Sequence, residues 1–174
     1  MPTVYHTFFD SPVGPLLLLS DGRALTGLYM NEPIVPDGSV ENPDAAPFPA
    51  LRDQLKEYFV GERKEFDVPL SPHGTTFQRV VWAHLRDIPY GQTISYGELA
   101  KRIRSPKACR AVGLANGKNP ISIIVPCHRV IGANGKLTGY GGGIENKQIL
   151  LDLERRSPSL FSQGEGRVGP TAPQ

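Results

Sequence analysis

The stretch Ser95-Tyr96-Gly97-Glu98-Leu99-Ala100-Lys101-Arg102-Ile103-Arg104-Ser105-Pro106-Lys107-Ala108-Cys109-Arg110-Ala111-Val112-Gly113 decides the fold class of the C-terminal half. Ser95 and Glu98 have capping-box spacing, in which a hydroxyl and a carboxylate satisfy each other's free backbone donors, so a helix is expected from Tyr96 to about Ile103. Ser105-Pro106 supplies a second N-cap with proline at the first helical position, predicting a helix from 106 to about 116. Two short helices joined by a tight turn make a helix-turn-helix candidate. Between Lys101 and Lys118 there are six basic residues (Lys101, Arg102, Arg104, Lys107, Arg110, Lys118) and no acid. Phosphate neutralisation needs such a patch, although a solvated basic face has the same composition. Ala108, Cys109, Ala111, Gly113 and Ala115 make the second helix small-sided, so its backbone can approach another helix, or a nucleic-acid groove with Arg110 projecting into it. Long polar side chains for major-groove readout are few, which favours binding with little sequence preference.

Upstream, Phe77, Val80, Val81, His84, Leu85 and Ile88 form a helical stripe closed by Pro89-Tyr90-Gly91. Ser71 to Thr76 reads as a linker, and the charge changes sign there: residues 1–76 carry net −6 and residues 77–156 net +8 within a chain of +2 overall. We therefore expect an N-terminal domain over 1–76, a C-terminal domain over 77–156, and a disordered Gly, Pro and Ser-rich tail over 157–174. A basic half joined to an acidic one suggests a polyanionic partner. In the acidic half, three apolar runs within the first thirty residues, divided by Gly, Pro and Asp turns, read as an antiparallel meander. Residues 31–47 read as an irregular loop, 48–60 as an amphipathic helix ending near Gly61, and Phe66 to Leu70 as one more strand. Downstream of the helix pair, Ile121 to Val125 reads as a buried extended segment delivering Cys127, and Gly139 to Gly143 as a flexible loop. Ile149, Leu150 and Leu153 then face one way on a last helix, with Glu154 at the edge of the stripe. The fold class is thus α/β of the α+β type, with an N-terminal antiparallel sheet and helix and a mostly helical C-terminal domain.

With 174 residues and 39 % hydrophobic content, the chain suits one or two small domains with real cores. Its two cysteines, Cys109 and Cys127, are too few for a disulfide scaffold or a four-thiolate zinc site, and reduced thiols in a cytosol are the natural reading. The N-terminus lacks a basic patch followed by an apolar stretch, and no run approaches the roughly 18 apolar residues that cross a bilayer. A cytoplasmic protein outside the membrane is expected.

Cys127 adjoins His128 in Ile124-Val125-Pro126-Cys127-His128-Arg129-Val130. A thiol attacks strongly only as thiolate, and a nearby imidazole can take its proton, directly or through a water. Adjacent side chains usually diverge, so a water relay or a sharp turn is required; an inert core cysteine is the alternative. The longer pattern is more specific. Asn119-Pro120 and Pro126-Cys127-His128-Arg129-Val130, with Arg110-Ala111-Val112-Gly113 upstream and Tyr140 plus glycines downstream, closely resemble the O6-alkylguanine-DNA alkyltransferase family, in order and spacing from about Phe77 to Glu154.

The resemblance implies a DNA-repair protein that flips O6-methylguanine, and less efficiently O4-methylthymine, out of duplex DNA and moves the alkyl group irreversibly to its own cysteine. By that likeness Cys127 is nucleophile and acceptor, His128 its base through a bound water, and Glu154 the group that orients His128. Asn119 holds the turn before the cysteine, and Tyr96 donates to the leaving guanine. Arg110 fills the vacated stack while the small-sided helix enters the minor groove. Gln78, Ser105, Asn134, Ala108, Cys109 and Gly97 fall where the family touches DNA, and Val130, Tyr140, Gly141, Gly142 and Gly143 where it lines the substrate pocket. It also implies a ribonuclease H-like N-terminal domain, no cofactor, and one turnover per molecule, because a thioether at Cys127 has no easy leaving group. The structural zinc of some members is not expected, as no cysteine precedes Cys109. Cys109 itself is expected to pack within its helix. A monomer is expected, with cooperativity along DNA left open.

Overall fold

The structure is a computed structural model that describes residues 2–137 and 139–162, with side chains as far as Arg156. Three strands, β1 (Tyr5–Ser11), β2 (Gly14–Ser20) and β3 (Leu25–Tyr29), form the expected meander, with Tyr5 opposite Ser20 and Ser11 opposite Gly14. Ser11 pins the first turn: its hydroxyl donates to Gly14 O at 2.7 Å and accepts from Val13 N at 3.1 Å. The 31–47 loop is less irregular than expected. Val40–Glu41 form β4, which pairs in parallel with β1 and completes the order β3-β2-β1-β4. A two-residue strand has no periodicity to read, but it covers an edge that would otherwise present unpaired backbone.

The first helix, α1 (Phe48–Phe59), buries Phe48, Leu51, Leu55 and Tyr58. The strand expected over Phe66 to Leu70 does not form, because Pro69 lacks the N–H a ladder needs. Gln54 holds this segment instead, its Nε2 donating to Asp67 O at 3.1 Å and its Oε1 accepting from Asp67 N at 2.8 Å. Leu70 alone bridges to Leu25.

A true capping box starts α2 (Thr76–Leu85), and it belongs to Thr75 and Gln78. The stripe on α2 is rotated from the expected one: Val81, Trp82 and Leu85 are buried, whereas Phe77 and Val80 are exposed. Trp82 wins the inward position because its indole N–H donates to Ala115 O at 2.8 Å while its ring fills the core. In α3 (Tyr96–Arg102) only half of the expected box forms. Ser95 Oγ accepts from Glu98 N at 3.0 Å, but the Glu98 carboxylate turns to Arg102 at 3.3 Å. Arg104, at a left-handed φ of 63°, ends that helix, and residues 105–108 close a turn in which Ala108 N donates to Ser105 O. The second helix, α4 (Cys109–Gly117), therefore starts about three residues later than expected, and Ser105 does not cap it.

Ile94–Ser95 (β5) pairs in parallel with Val130–Ile131 (β6), tying the start of α3 to the segment after Cys127. The last helix, α5 (Ile144–Ser162), runs past Pro158 and five residues beyond the expected onset of disorder at Ser157, since no glycine stands before Gly164 to stop it. Residues 163–174 of the expected tail lie outside the described residues. Sheet and helices share one apolar core, which includes Leu18, Leu28, Phe48, Trp82, Val112 and Leu150. Leu28 joins the halves directly, its N–H donating to Pro120 O at 2.8 Å and its carbonyl accepting from Ser122 N at 3.1 Å.

Candidate active site

Every residue from Asn119 to Val130 is buried, but the 121–125 segment is a coiled turn rather than an extended strand. Val125 N donates to Ile121 O at 3.1 Å and Ile124 N to Ser122 O at 2.9 Å, with Ile123 between them at φ 74°. A β-branched residue in that left-handed conformation costs roughly 1–3 kcal/mol and persists only where its surroundings impose it. Asn119 imposes it: Nδ2 donates to Val125 O at 2.8 Å and Oδ1 accepts from Ile121 N at 3.0 Å. Asn116, on α4, adds a bond from Nδ2 to Cys127 O at 3.4 Å. The chain then enters one 3-10 turn over Cys127–Arg129, where neighbouring side chains diverge by a third of a revolution.

Divergence sends His128 away from the sulfur's neighbours and onto Glu154, where Nε2 lies 2.7 Å from Oε2. Glu154 is 1 % exposed and sits at the middle of the buried face of α5, with Lys147, Leu150 and Leu151, not at its edge. The helix rotates by one position relative to the expected stripe, leaving Ile149 exposed. Two residues that the sequence reading missed complete the cluster. Arg129 forks onto both Glu154 oxygens, at 2.9 and 3.0 Å, and donates its third nitrogen to Ile88 O at 2.7 Å. Tyr58, on α1, donates to Oε2 at 2.6 Å. Burial alone would push the Glu154 carboxyl up, but facing His128 and Arg129 it is held well below the usual carboxylate range. An ionised carboxylate only accepts, so His128 Nε2 carries a proton in this bond. Its Nδ1 is buried with no hydrogen-bond partner among the described residues.

Burial pushes the Cys127 thiol up, opposed by Asn119, Lys147 and Ser122, so the sulfur rests as a neutral thiol until a base acts. Lys147, also missed, is fully buried; its Nζ donates to Val130 O at 2.7 Å and lies 5.7 Å from the Tyr140 ring centroid. A charged residue seven positions before Glu154 in one apolar stripe is the signal that would have found it. Cys127 opens onto a cavity of about 250 Å³ whose walls include Asn119, Tyr140, Gly141 and Gly142 from the expected set. Val130 and Tyr96 are not on that wall: Val130 is fully buried in the core, and the Tyr96 ring packs beside Gly113 of α4.

The expected DNA-contacting residues are spread over a different face. Cys109 and Arg110 are exposed at the start of α4, so Cys109 is not packed as expected; it stands in the first turn, on the side turned from the core. Ala108 is the N-cap of α4, and Ser105 sits in the turn before it. Gln78 is engaged in its capping box, with Oε1 accepting from Thr75 N at 2.9 Å. Asn134 is exposed in a separate turn and accepts from Lys136 N at 3.1 Å. Among the described residues no group of three or more His, Cys, Asp and Glu is placed to hold a metal, and no helix is long and apolar enough to cross a membrane.

Comparison with known proteins places these features together. Residues 76–156 match the family model for the 6-O-methylguanine DNA methyltransferase DNA-binding domain, and residues 4–72 match the ribonuclease-like domain of the same methyltransferases. A Mycobacterium tuberculosis methylated-DNA--protein-cysteine methyltransferase is 56% identical over 158 residues, covering 90% of this chain and 96% of the relative. Its Methanosarcina acetivorans namesake is 55% identical over 157 residues, covering 87% and 98%. The crystal structure of Mycobacterium tuberculosis OGT in complex with DNA superposes with a TM-score of 0.83 at 54% identity, covering 90% of this chain and 99% of that one. With both halves matched, and with Cys127, His128 and Glu154 assembled in its core, this chain belongs to the O6-alkylguanine-DNA alkyltransferase family.

Proposed function

We propose that the protein is a methylated-DNA--protein-cysteine methyltransferase that repairs O6-methylguanine in duplex DNA by moving the methyl group to Cys127. One observation carries this reading: His128, beside the buried thiol, spends Nε2 on an ionised Glu154 and keeps a buried Nδ1 with no protein partner among the described residues. With the carboxylate fixing the ring through Nε2, Nδ1 is the nitrogen left to serve as general base, as in hydrolase triads. Through one water, Nδ1 takes the thiol proton. The sulfur then attacks the methyl carbon, the S–C bond forms as the O6–C bond breaks, and the electron pair leaves with guanine. Because the resulting thioether lacks an easy leaving group, each molecule turns over once. O4-methylthymine is the slower substrate.

Reaching O6 requires extrusion of the base, which costs a few kcal/mol, less for a damaged pair. Arg110, exposed at the start of α4, fills the vacated stack, and the small side chains there, the exposed Cys109 and Ala111 beside the half-buried N-cap Ala108, allow close approach in the minor groove. Ser105, Gln78 and Asn134 supply backbone contacts around it. The test is direct. Incubated with an oligonucleotide bearing labelled O6-methylguanine, the protein should gain one methyl group on Cys127 by mass spectrometry. Label remaining on bound DNA would indicate a damage sensor, and turnover well beyond stoichiometry a hydrolase or demethylase; either result overturns the reading.

A further inference from the structure

The N-terminal sheet enters the cavity in front of Cys127. Its edge strand β3 ends on Tyr29, and Tyr29 and the following Met30 line that cavity together with Ser122 and Tyr140. Their placement is fixed from several sides. The two backbone bonds from Leu28 to the Pro120–Ser122 segment set the register between β3 and the coil that carries the cysteine. The Tyr29 ring lies flat over Gly27, where an added methyl would come within 2.7 Å of Cε2. Asn31 and Glu32 then take left-handed φ values of 66° and 59°, turning the chain away immediately after Met30. Met30, 6 % exposed, presses on the glycine loop: a methyl on Gly142 would sit 2.6 Å from its Cγ and Sδ and 2.7 Å from Tyr140 Cε2.

We propose that Tyr29 and Met30 are the wall that sets how large an O6-alkyl group the site accepts, which makes the N-terminal domain a specificity element of the transferase. This rests on the functional reading above. The carbon bonded to O6 must meet the Cys127 sulfur, so whatever lies beyond that carbon extends into the cavity these residues close. The remaining walls are the glycine loop, the buried Asn116, Asn119 and Ser122, which cannot yield without unpacking, and the exposed Gly117 and Lys118 at the end of α4. Met30 is the adaptable member, being unbranched, with a polarisable thioether.

The experiment compares single-turnover rates on duplexes carrying O6-methylguanine or O6-benzylguanine, reading alkyl uptake at Cys127 by mass. Tyr29→Ala and Met30→Ala should each raise the benzyl-to-methyl rate ratio by roughly tenfold or more, the scale of a pocket that gains several methylenes of space. Met30→Trp should lower it, and Ile34→Ala, 87 % exposed in the same domain, should leave both rates alone. Tyr29 is 38 % exposed, so its truncation opens no core and decides the matter even if a Met30 variant melts early. An unchanged ratio in Tyr29→Ala overturns the proposal. If the wild-type protein takes up methyl while the ratios stay fixed, only this inference fails. If wild-type Cys127 takes up nothing, the functional reading falls and this inference falls with it.

Discussion

The α4 face and the α5 face are both rich in charge, and they use it in opposite ways. On α5, Lys147 and Glu154 are buried and every oxygen of the carboxylate is engaged, by His128, Arg129 and Tyr58. On α4, Arg110 in the first turn and Lys118 at the C-cap are exposed on a small-sided helix. The two cysteines follow the same division, Cys127 buried and Cys109 exposed. Chemistry at a thiol needs a fixed, water-poor surround that holds one proton path, whereas a surface meeting a polyanion gains from charges left free to exchange counterions. The difference teaches that position in the core, rather than residue type, separates reacting groups from gripping ones in this chain.

The largest expected effect is loss of the acceptor. Cys127→Ser should abolish methyl uptake while binding of methylated duplex persists, measured by mass and by gel shift. Glu154→Gln comes next, because it leaves Arg129 buried without its countercharge; breaking such a pair costs about 3–5 kcal/mol, seen as a lower midpoint in urea. Methyl transfer should fall with it, and a variant that keeps wild-type stability would erase the contrast between the faces. Arg110→Ala should slow repair of duplex on the order of 100-fold, equivalent to a few kcal/mol of flipping energy, while reaction with the free base stays close to wild type. Equal losses on both substrates would remove the finger role.

Acid offers a milder perturbation of the α5 cluster. Glu154 has a folded pKa depressed below its unfolded value, so the unfolded state binds more protons and the contribution is present above the ordinary carboxylate range and lost as pH falls. Thermal midpoints should therefore drop below about pH 5, and Glu154→Gln should flatten that dependence. At the bottom of the scale, Arg102→Ala on the exposed side of α3 removes a half-exposed pair with Glu98 and should cost no more than about 0.5 kcal/mol.

Much of the site was legible in the sequence. Pro126-Cys127-His128-Arg129-Val130 pointed to the proposed nucleophile and base, and Glu154 meets His128 as expected. Arg129 and Tyr58 were not legible, because each reads as an ordinary member of its segment until α1, α5 and the 3-10 turn meet. Periodicity located α1, and capping letters the α3–α4 pair, but periodicity misjudged which face of α2 and α5 turns inward, since Trp82 and Glu154 take inward positions through hydrogen bonds that a stripe of apolar letters does not record. Capping letters misled at Ser105, where the left-handed Arg104 redirects the chain before a serine cap can form, and in part at Glu98, whose carboxylate turns to Arg102.

Local chemistry, then, was set by the sequence itself: a thiol next to an imidazole, a basic and small-sided helix pair, an acidic meander before them, and turns where glycine and proline allow little else. These are properties of neighbours along the chain, governed by backbone sterics and short-range hydrogen bonding. Tertiary structure decided which groups meet around His128 and which residues wall the cavity in front of Cys127. Tyr58 meets Glu154 across 96 positions, and Met30 of the sheet meets Gly142 of the glycine loop, through packing that only a closed core enforces.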